Sequence, residues 1–427
     1  MIKRILICFM ICLIILVNIN EVNAQPAILS QSAVLIDANT GTVLFQKDAD
    51  KKMYPASLTK IMTAIIAIET GNLSDAITVD EDTPYEINGS HIALEPGEIL
   101  TLKDLLYALM LPSANDAAAA IAKHYGGSTE KFVKLMNDKA KELGALNTNF
   151  VNPHGLHNES HYTTAKDLAI ITRYAMKNET FRKIVSTQKY EIQPTNKKSE
   201  VRYFTNLNKM LYCGTYGQIN VDGKWISPLY EGTTGVKTGY TPEAGNSLVA
   251  SAKRNGTELI AVTMNGVSLD MYQDAHNLFN YGFSGFESTT LVHKNTFIQN
   301  VEIKNGDSKE ISVITESDFS ALTAKESASD IKSNITINEI SLPIAKNAVV
   351  GKMEFSLNGK VIGSVNLITP IEVKSTLVEG AKGKSKIITF LKSVAILVMI
   401  ILAIKLYNMI RIKINRKKRR KRSRVDV

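Results

Sequence analysis

Ser57 and Lys60 stand near the start of the apolar segment PASLTKIMTAIIAIE, residues 55–69. Side chains three residues apart lie on one face of a helix, so the Lys60 amine can reach the Ser57 hydroxyl. Burial and a helix N-terminus both disfavour an ammonium, and a neutral lysine can act as a base. The pair therefore predicts that Ser57 attacks a carbonyl carbon while Lys60 takes its proton.

Spacing alone does not single out this pair. Ser-x-x-Lys occurs at three further places in the chain, which are Ser128/Lys131, Ser186/Lys189 and Ser329/Lys332. Surface helices rich in serine and lysine produce such matches freely. The context of Ser57 differs, because Pro55 precedes it and an apolar helix follows it, so we expect Lys60 to be buried.

Two further short motifs contain groups that could hold a substrate. Ser113 and Asn115 lie in PSANDA, a break between two predicted helices where a hydroxyl and an amide can be fixed beside a cleft. Lys237, Thr238 and Gly239 lie in GVKTGYT, which we place at the start of a strand. The lysine and the threonine offer a cation and a hydroxyl to a carboxylate, and the glycine lets a ligand backbone approach. Ser-x-Asn also recurs in the β-rich part of the chain, at Ser356/Asn358 and Ser364/Asn366.

The periodicity of apolar residues indicates which elements carry these motifs. Residues 32–50 alternate apolar and polar around Asn39-Thr40-Gly41, which is typical of a hairpin. Two more strands, SLVASAKR and TELIAVTM, flank Asn255-Gly256. Helical periodicity covers residues 57–69, 102–111, 116–125, 129–143, 164–176 and 270–281. This order predicts an α+β domain whose two ends meet in one antiparallel sheet flanked by helices.

Residues 1–24 have the features of a secretory signal peptide, with Lys3 and Arg4, an apolar run and small residues before the expected cleavage point. The apolar run is short for a membrane span, which disfavours an N-terminal anchor. Cleavage leaves Cys213 as the one thiol of the mature chain, so we expect no intrachain disulfide.

Residues 387–410 are apolar and residues 411–427 are basic, an order typical of a transmembrane helix followed by a cytoplasmic tail. Lys392 and Lys405 interrupt the apolar run and must extend toward the interfaces. An interfacial amphipathic helix is the alternative, but the apolar residues surround the segment without leaving a polar face. We therefore expect an exported protein that is anchored in membrane lipid at the outer face of the bacterial cytoplasmic membrane.

Composition divides the chain between these two ends. We predict a first domain over residues 25–284, a small β-sandwich domain over residues 285–373, and a polar linker over residues 374–386. The net charge of +9 comes from the two ends, and the residues between them are slightly acidic. The basic character therefore reflects membrane topology, and we expect no binding to nucleic acid.

Ser-x-x-Lys, Ser-x-Asn and Lys-Thr-Gly, in this order, resemble the motif set of the penicillin-recognising serine acyl-transferases. Longer segments, among them LMLPSANDAAAAIA, FVNPHGLHNESHYTTAKDLA and GVKTGYTPEAGNSLVASAKRNG, resemble the D-alanyl-D-alanine carboxypeptidases among the low-molecular-mass penicillin-binding proteins. The resemblance covers about residues 30–373. It implies a β-lactamase/transpeptidase-like domain, followed by the small β domain that this family carries before its membrane attachment.

The resemblance implies a role for each motif residue. Ser57 would attack the carbonyl of the penultimate D-alanine in a peptidoglycan stem peptide, with Lys60 as the general base. Ser113 would pass a proton to the leaving D-alanine, and Asn115 would hold the substrate amide. The backbone N–H groups of Ser57 and Tyr240 would form the oxyanion hole.

The family also implies how the substrate terminus is bound and what else reaches the site. Lys237 and Thr238 would bind the region of the terminal carboxylate, next to Gly239. Water would hydrolyse the acyl-enzyme, and neither a metal nor another cofactor is expected. β-Lactam antibiotics would be covalent inhibitors that react with Ser57.

Three features depart from the family pattern. Residues 212–230 form a longer link into Lys-Thr-Gly and contain Trp225, the one tryptophan of the chain. Family members often place an arginine shortly after the sheet to help bind the carboxylate, yet no arginine lies between Arg254 and the basic tail. Tyr240 stands where some members have histidine, which matters little if its backbone alone acts.

A zinc enzyme is one alternative, because unrelated D,D-carboxypeptidases use zinc. The candidate ligands are His154, His157 and His161. Pro153 and Gly155 break any helix that would align these imidazoles, and the motif His-Glu-x-x-His is absent. We therefore expect these residues to shape a loop beside the cleft.

A β-lactamase would share the three motifs, but it needs a glutamate for deacylation between Ser113 and Lys237. The segment that begins at Glu142 has one residue too many for that pattern, and Glu159 lies in a loop that resembles the carboxypeptidases. A third alternative is a penicillin-recognising sensor that is acylated without turnover. The basic tail offers no folded effector domain for such a sensor.

Overall fold

The computed structural model describes residues 25–86, 88–212, 217–324, 330–357, 359–376 and 380–422. Four features named above lie outside these residues, namely the predicted signal peptide at 1–24, Cys213, Ser329 and Asn358. The described chain forms two compact units. The first contains the residues up to Leu291 and those within Phe319–Ser333 and Glu354–Ser364, and the second contains the remainder. The domain boundary at residue 285 stays a prediction.

The first unit combines helices with long and short strands. The strands up to residue 266 are β1 Ser32–Asp37, β2 Val43–Lys47, β3 Ala76–Thr78, β4 Ile99–Thr101, β5 Lys189–Ile192, β6 Arg202–Thr205, β7 Ile219–Val221, β8 Lys224–Ile226, β9 Thr233–Thr241, β10 Gly245–Arg254 and β11 Thr257–Gly266. The helices are a 3₁₀ helix at Ala56–Thr59, then α1 Lys60–Thr70, α2 Thr83–Glu86, α3 Leu102–Met110, α4 Asn115–Gly126, α5 Thr129–Glu142, α6 Ala165–Ala175, α7 Glu179–Ser186 and α8 Asp270–Gly285.

Strands β2, β1, β11, β10 and β9 form, in this order, a five-stranded antiparallel sheet. β1 pairs with β11, so that Ser32 lies opposite Met264. Every residue of β1 is buried, and alternate residues enter two different cores, with Val34 in one and Leu35 in the other. Helices therefore cover both faces of the sheet. The two ends of this domain meet in one antiparallel sheet, as predicted.

The helices divide between the two cores. α1, α3, α4 and α6 supply the larger core, while α8 packs in the other through Tyr272, Leu278 and Phe279. The alanine run at residues 117–120 of α4 is buried, and its small side chains leave room for the neighbouring helices. Because α1 and α4 begin with Lys60 and Asn115, this packing brings two motifs together.

Two of the further Ser-x-x-Lys matches have ordinary structural roles. Ser128 precedes α5, and its Oγ accepts a hydrogen bond from the Lys131 N–H at 3.3 Å. It is therefore a helix N-cap, a position that favours serine. Ser186 ends α7 and Lys189 begins β5, so this second pair does not share a helix.

The segments predicted as helices are helical at nearly the expected positions, but the first turn of residues 57–69 is 3₁₀ rather than α. The structure adds α7 and three strand pairs, β3/β4, β5/β6 and β7/β8, that the periodicity did not indicate. The β7/β8 hairpin lies within residues 212–230 and leaves Trp225 exposed. Strands of three or four residues are too short to produce a readable alternation.

The position predicted for Lys237 was wrong, because this residue is the fifth of nine in β9 rather than the first of a strand. β9 pairs with β10 back to Thr233, which lies opposite Ala252. The strand thus continues through Gly235, although a glycine at this position in the sequence indicates the end of a strand. Lys237 is consequently held in the middle of the edge strand of the sheet.

The remaining strands are β12 Phe286–Val292, β13 Phe297–Glu302, β14 Glu310–Thr315, β15 Phe319–Ala324, β16 Lys332–Ile337, β17 Val349–Leu357 and β18 Lys360–Ile368. β13, β14, β18, β17 and β16 form a second five-stranded sheet, and β12 pairs with β15. Ile311, Val313 and Leu367 belong to a small core in this part of the chain. The predicted C-terminal β domain is confirmed.

The last element is the long helix α9, Gly380–Arg422. Its part from Ile388 to Arg416 is long and apolar enough to cross a membrane, with a mean hydropathy of 2.3. The helix begins inside the segment predicted as a linker, residues 374–386, and it continues into the basic residues. This one helix fits a membrane anchor.

Candidate active site

Ser57 lies on the 3₁₀ helix directly before α1. Pro55 precedes this turn, and its carbonyl accepts a hydrogen bond from the Leu58 N–H at 3.1 Å. Ala56 has a φ of +46°, in a region that costs a non-glycine residue about 1–2 kcal/mol. The surrounding structure must therefore hold the turn in place, and strain of this kind is concentrated at functional sites.

Lys60 is the first residue of α1 and is completely buried. Its Nζ donates hydrogen bonds to Ser57 Oγ at 2.9 Å, Asn115 Oδ1 at 2.6 Å and His154 O at 2.8 Å. The expected contact between the serine hydroxyl and the lysine amine is present. The amide and the carbonyl fix the amine, so that it faces the hydroxyl.

The pKa of Lys60 lies well below its usual range. Burial is the largest cause, the nearby Lys237 lowers the pKa further, and Asp116 acts in the opposite direction. Asp116 is buried too, and it accepts hydrogen bonds from the backbone N–H groups of Ile92 at 3.1 Å and Leu94 at 3.0 Å. An amine with a lowered pKa can be neutral near neutral pH, as a general base must be.

Ser113 lies in the break between α3 and α4 and has a φ of +67°. The residue is only 4% exposed, and its hydroxyl has no hydrogen-bond partner among the described residues. An unbonded buried polar group costs about 1–3 kcal/mol, so a ligand that bonds it gains this amount. Asn115, two residues later, donates from Nδ2 to the Asn88 carbonyl at 2.7 Å.

Lys237 is 1% exposed, and its Nζ donates to the Thr238 carbonyl at 3.0 Å. Burial lowers its pKa to about 7. The next residues of β9 are Thr238, Gly239 and Tyr240, of which Tyr240 is exposed. The edge strand therefore carries a buried amine and presents a hydroxyl and backbone beside Ser57.

Gly239 lies against the turn that carries Ser57. A Cβ atom at this position would stand 3.1 Å from the Pro55 carbonyl oxygen and 3.2 Å from Leu58 Cγ. Such contacts are tighter than ordinary van der Waals separation, so the turn would have to move. The absence of a side chain thus lets β9 approach the turn that carries Ser57, in addition to any approach of a ligand.

Five of the predicted residues line one cleft of about 400 Å³, namely Ser57, Ser113, Thr238, Gly239 and Tyr240. The other three, Lys60, Asn115 and Lys237, are buried beside it. A volume of this size lies near the lower end for small-molecule sites. The cleft can hold the end of a short peptide next to the Ser57 hydroxyl.

This combination of a serine–lysine pair, an unbonded hydroxyl and a Lys-Thr-Gly strand around one cleft agrees with the comparison to known proteins. The family model described as D-alanyl-D-alanine carboxypeptidase matches residues 19–268. The chain belongs to this family. A second model, described as the C-terminal domain of penicillin-binding protein 5, matches residues 286–375. The family assignment made from the motifs is confirmed.

Individual carboxypeptidases match most of the chain. The D-alanyl-D-alanine carboxypeptidase DacF of Bacillus subtilis is 36% identical over 85% of this chain and 88% of its own length. DacC of Escherichia coli is 31% identical over 80% of this chain and 84% of its own length.

Solved structures show the same architecture. Penicillin-binding protein 5 of Haemophilus influenzae superimposes with a TM-score of 0.65 at 29% identity, covering 82% of this chain and 99% of that one. The Streptomyces K15 DD-transpeptidase matches with a TM-score of 0.54 at 33% identity, covering 61% of this chain and 99% of that one.

Part of this carboxypeptidase's cleft could not be anticipated from the motifs. The further lining residues are Ser90, Leu207, Lys209, Asn246, Ser268, Leu269, Met271 and Tyr272. They come from loops, from the start of β10 and from the start of α8, and no residue spacing links them. The asparagines on both sides of Leu207 are the one local sign of a fixed loop, because asparagine side chains bond to nearby backbone.

The three histidines hold the loop that contacts Lys60. His161 Nδ1 accepts a backbone N–H at 3.2 Å, so Nε2 carries the proton and donates to Thr59 Oγ1 at 2.8 Å. Burial lowers the pKa of His161 to about 4 and that of His154 to about 3. His157 packs edge-on against a tyrosine ring. Among the described residues no three side chains are grouped as metal ligands.

Neither glutamate considered for β-lactamase chemistry lines the cleft of Ser57. Glu142 ends α5 and forms an ion pair with Lys139 at 3.0 Å. Glu159 is exposed and lines a different pocket, together with Tyr162. Within the described part of the chain, the cleft residues include no carboxylate.

Proposed function

We propose that this chain is a serine-type carboxypeptidase that removes the terminal D-alanine from peptidoglycan stem pentapeptides through an acyl-enzyme at Ser57. The contact that carries the proposal is the 2.9 Å separation of Lys60 Nζ from Ser57 Oγ. The amine that makes this contact is buried and has a lowered pKa. The family and its named relatives supply the substrate class.

Acylation begins when Ser57 Oγ attacks the carbonyl carbon of the penultimate D-alanine. Neutral Lys60 takes the hydroxyl proton, and the bond between Oγ and the carbonyl carbon forms. The carbonyl oxygen becomes an oxyanion, which accepts hydrogen bonds from the backbone N–H groups of Ser57 and Tyr240. Preorganised donors of this kind stabilise the developing charge without reorganising solvent.

Collapse of the tetrahedral intermediate breaks the peptide bond to the terminal D-alanine. Lys60 gives the proton that it took from Ser57 to the Ser113 hydroxyl, which passes its own proton to the leaving amine, a role suited to a buried hydroxyl without a partner among the described residues. Asn115 positions the substrate through the second Nδ2 hydrogen, since the first is bonded to Asn88. Water then attacks the ester carbonyl carbon while Lys60 takes one of its protons, the bond between Ser57 Oγ and the acyl carbon breaks, and Lys60 returns the proton to Ser57 Oγ.

Lys237 and Thr238 bind the region of the terminal carboxylate. A carboxylate near Lys237 favours the ammonium form, so substrate binding raises the pKa of this lysine from its value of about 7. β-Lactams present a carboxylate and a reactive carbonyl to the same residues. They acylate Ser57 and act as covalent inhibitors.

The substrate is in the cell wall, so we propose that residues 1–24 direct export and that α9 anchors the body at the outer face of the cytoplasmic membrane. The apolar part Ile388–Arg416 supports an anchor in lipid. The basic residues 411–427 then remain in the cytoplasm, because positive charge is retained on that side.

Release of D-alanine from a synthetic stem pentapeptide tests the proposal. The full chain in detergent releases the terminal D-alanine, and Ser57→Ala lowers the rate by on the order of 10³-fold or more. Ser128→Ala is the matched control, because Ser128 has the same spacing to a lysine but caps α5. This variant should keep the wild-type rate.

Penicillin labelling separates the alternatives. A carboxypeptidase forms an adduct at Ser57 and releases D-alanine, whereas a sensor forms the adduct and releases none. A β-lactamase instead hydrolyses penicillin faster than the peptide. An adduct mapped to Ser128 or Ser186 would show that the wrong serine has been assigned.

A further inference from the structure

A second pocket in the first unit, which we call the side pocket, is distinct from the cleft of Ser57. It measures about 340 Å³, and its lining includes Lys51, Lys52, Tyr54, Glu159, Tyr162 and Glu243. The two lysines and the two glutamates give the side pocket both signs of charge and no net charge. Such a lining is complementary to a ligand group that carries an ammonium and a carboxylate together.

The walls of the side pocket continue those of the cleft. Tyr54 lies three residues before Ser57, and Glu243 lies three residues after Tyr240. Gly239 packs against the turn that carries Ser57, so the strand and the turn are in contact between the two cavities. A ligand that occupies the cleft can therefore extend into the side pocket along this strand and turn.

Backbone contacts fix the side pocket. The Met53 N–H donates to the Thr163 carbonyl at 2.8 Å, and the Met53 carbonyl accepts the Thr163 N–H at 2.9 Å. The Ala244 N–H donates to Thr241 Oγ1 at 3.1 Å, which holds the turn after β9. The walls are thus in place before a ligand arrives, which lowers the entropic cost of binding.

The charged groups of the side pocket remain available to a ligand. Lys51 and Glu159 are exposed, and neither forms an ion pair with another residue in the described ranges. A hydrogen bond from its own backbone N–H is the largest cause that holds the pKa of Glu243 below its ordinary value, so this residue is a carboxylate at neutral pH. Lys52 Nζ lies 4.2 Å from the centre of the Tyr162 ring.

The proposed substrate contacts give the direction in which the peptide leaves the cleft. Its terminal carboxylate lies at Lys237 and Thr238, and the carbonyl that Ser57 attacks lies at the Tyr240 N–H. The peptide therefore runs antiparallel to β9, which is the edge strand of its sheet. Along the chain, Glu243 is at most about 10 Å beyond Tyr240. A long side chain on the residue before the two D-alanines can span this distance.

We propose that the side pocket binds the side chain of the third residue from the substrate C-terminus, and that this residue is a diamino acid whose side chain ends in an ammonium and a carboxylate on one carbon. The inference rests on the proposed function and adds the class of stem peptide to it. Glu159 and Glu243 bind the ammonium. Lys51 binds the carboxylate, and Lys52 adds positive charge from its place on the Tyr162 ring.

Three N-acetylated tripeptides that end in D-alanyl-D-alanine isolate this contact. Their first residue is L-norleucine, which is neutral, L-lysine, which adds the ammonium, or meso-diaminopimelic acid joined through its L centre, which adds the ammonium and the carboxylate. The readout is kcat/KM for D-alanine release by the full chain in detergent. Wild type should prefer the diaminopimelate peptide to the norleucine peptide about 4- to 25-fold, as two exposed ion pairs of about two- to fivefold each would give. The lysine peptide should fall between them.

Two variants of the side pocket separate the two charges. The double variant Glu159→Gln/Glu243→Gln removes the partners of the ammonium, so the ratio of the lysine to the norleucine rate constant should fall to about one. Lys51→Met removes the partner of the carboxylate, so the ratio of the diaminopimelate to the lysine rate constant should fall to about one. Ratios are compared because a general disturbance of the site lowers all three rates together.

Glu231→Gln is the matched control. It removes an exposed carboxylate just before β9, at the opposite end of that strand, and should leave the three rate constants unchanged. Added salt should reduce the wild-type preference for the diaminopimelate peptide, because exposed ion pairs are screened. Thermal unfolding and penicillin labelling of Ser57 show whether each variant is folded.

Failure of this inference is distinguishable from failure of the proposed function. If wild type releases D-alanine from all three peptides with equal kcat/KM, or prefers the lysine peptide to the diaminopimelate peptide, the role of the side pocket alone is wrong. Preferences that survive unchanged in both pocket variants would overturn it too. If wild type releases no D-alanine from any peptide, the carboxypeptidase assignment is wrong and the inference falls with it.

Discussion

Lys60 and Lys237 are two buried amines in one site. The presence of Lys237 lowers the pKa of Lys60, and burial lowers the pKa values of both lysines. One nearby carboxylate, Asp116, offsets part of this effect. A positive charge on Lys237 therefore favours the neutral form of Lys60, which is the form that a general base needs.

Lys60→Arg tests the general base. A guanidinium stays protonated throughout the accessible pH range, so it cannot accept the Ser57 proton. The rate of D-alanine release should fall by roughly 10²- to 10⁴-fold. In the wild type, the rate should rise as pH increases through the lowered pKa of Lys60, because the neutral amine is the active form. Near wild-type activity in Lys60→Arg would remove this residue from the mechanism.

Treatment with a metal chelator also distinguishes a mechanism based on Lys60 from a mechanism based on zinc. EDTA should leave D-alanine release unchanged, because both ring nitrogens of His161 already have partners and the His154 ring is buried in the loop. Loss of activity on chelation, with recovery on adding zinc, would point to the histidine loop instead of Lys60.

Lys237→Met should make the protein more stable and less active. The folded pKa of Lys237 is about 7, below the ordinary value of 10.5, so between these pH values the unfolded chain binds the proton more readily. Wild-type stability therefore falls as pH decreases from about 10.5 to 7, and below pH 7 the destabilisation by Lys237 remains at its full, constant value. The melting temperature of the variant should exceed that of wild type by more at pH 7 than at pH 9.5. An equal difference at both pH values would contradict the assignment.

Residue types and spacing were enough to predict the Ser57–Lys60 contact, because it lies within one helical turn. They did not reveal that Lys237 lowers the pKa of Lys60, since the two residues come from separate elements. Lys209 was missed for a related reason, because its position depends on Tyr272 and on two buried asparagines. Contacts between elements distant in sequence leave no periodic signal.

At the scale of elements, the turn that carries Ser57 is confined between a loop and a strand. Gly155 and Gly239 both lie against it without side chains. A Cβ atom on Gly155 would lie 1.8 Å from the Ala56 carbonyl oxygen, which no small adjustment relieves. The same loop supplies the His154 carbonyl that binds Lys60. The loop, the turn and β9 must therefore fit together before the site exists.

Gly155→Ala should disturb this arrangement severely. The substitution adds a steric clash to the strain of a φ of +90°, so we expect loss of more than about 3 kcal/mol in unfolding free energy, or no folded protein. Gly144→Ala is the matched control, with a φ of +84° and no atom within 4 Å of the added Cβ. It should cost about 1–2 kcal/mol. Urea unfolding of both variants measures the difference, and equal effects would refute the steric argument.

Long helices and the two main hairpins could be predicted because their apolar residues repeat over many positions. The turn Asn39-Thr40-Gly41 and the turn Asn255-Gly256 fall where the chain reverses between β1 and β2 and between β10 and β11. In contrast, β9 was placed too late, because Gly235 interrupts its pattern. The short pairs β5/β6 and β7/β8 depend on tertiary contacts that the sequence does not display.

At the scale of the whole molecule, the apolar helix α9 predicts which parts of the chain lie on each side of the membrane. If the helix spans the membrane with the basic residues inside, protease added to intact cells should digest the enzyme body. An epitope tag placed after Val427 should remain protected until the membrane is opened. Digestion of the tag in sealed cells would instead favour a helix that lies in the interface.

The pairing of β1 with β11 also sets the order in which this enzyme can mature. Ser32 meets Met264, so the central sheet closes only after nearly the whole domain has been synthesised. Folds rich in such distant pairings close slowly, because the entropy of a long loop is lost before the contacts form. Since β9 and the Ser57 turn depend on that sheet, a partly synthesised chain contains Ser57 but lacks the strand that lies against its turn. The acylating activity thus arises late, together with the completed fold.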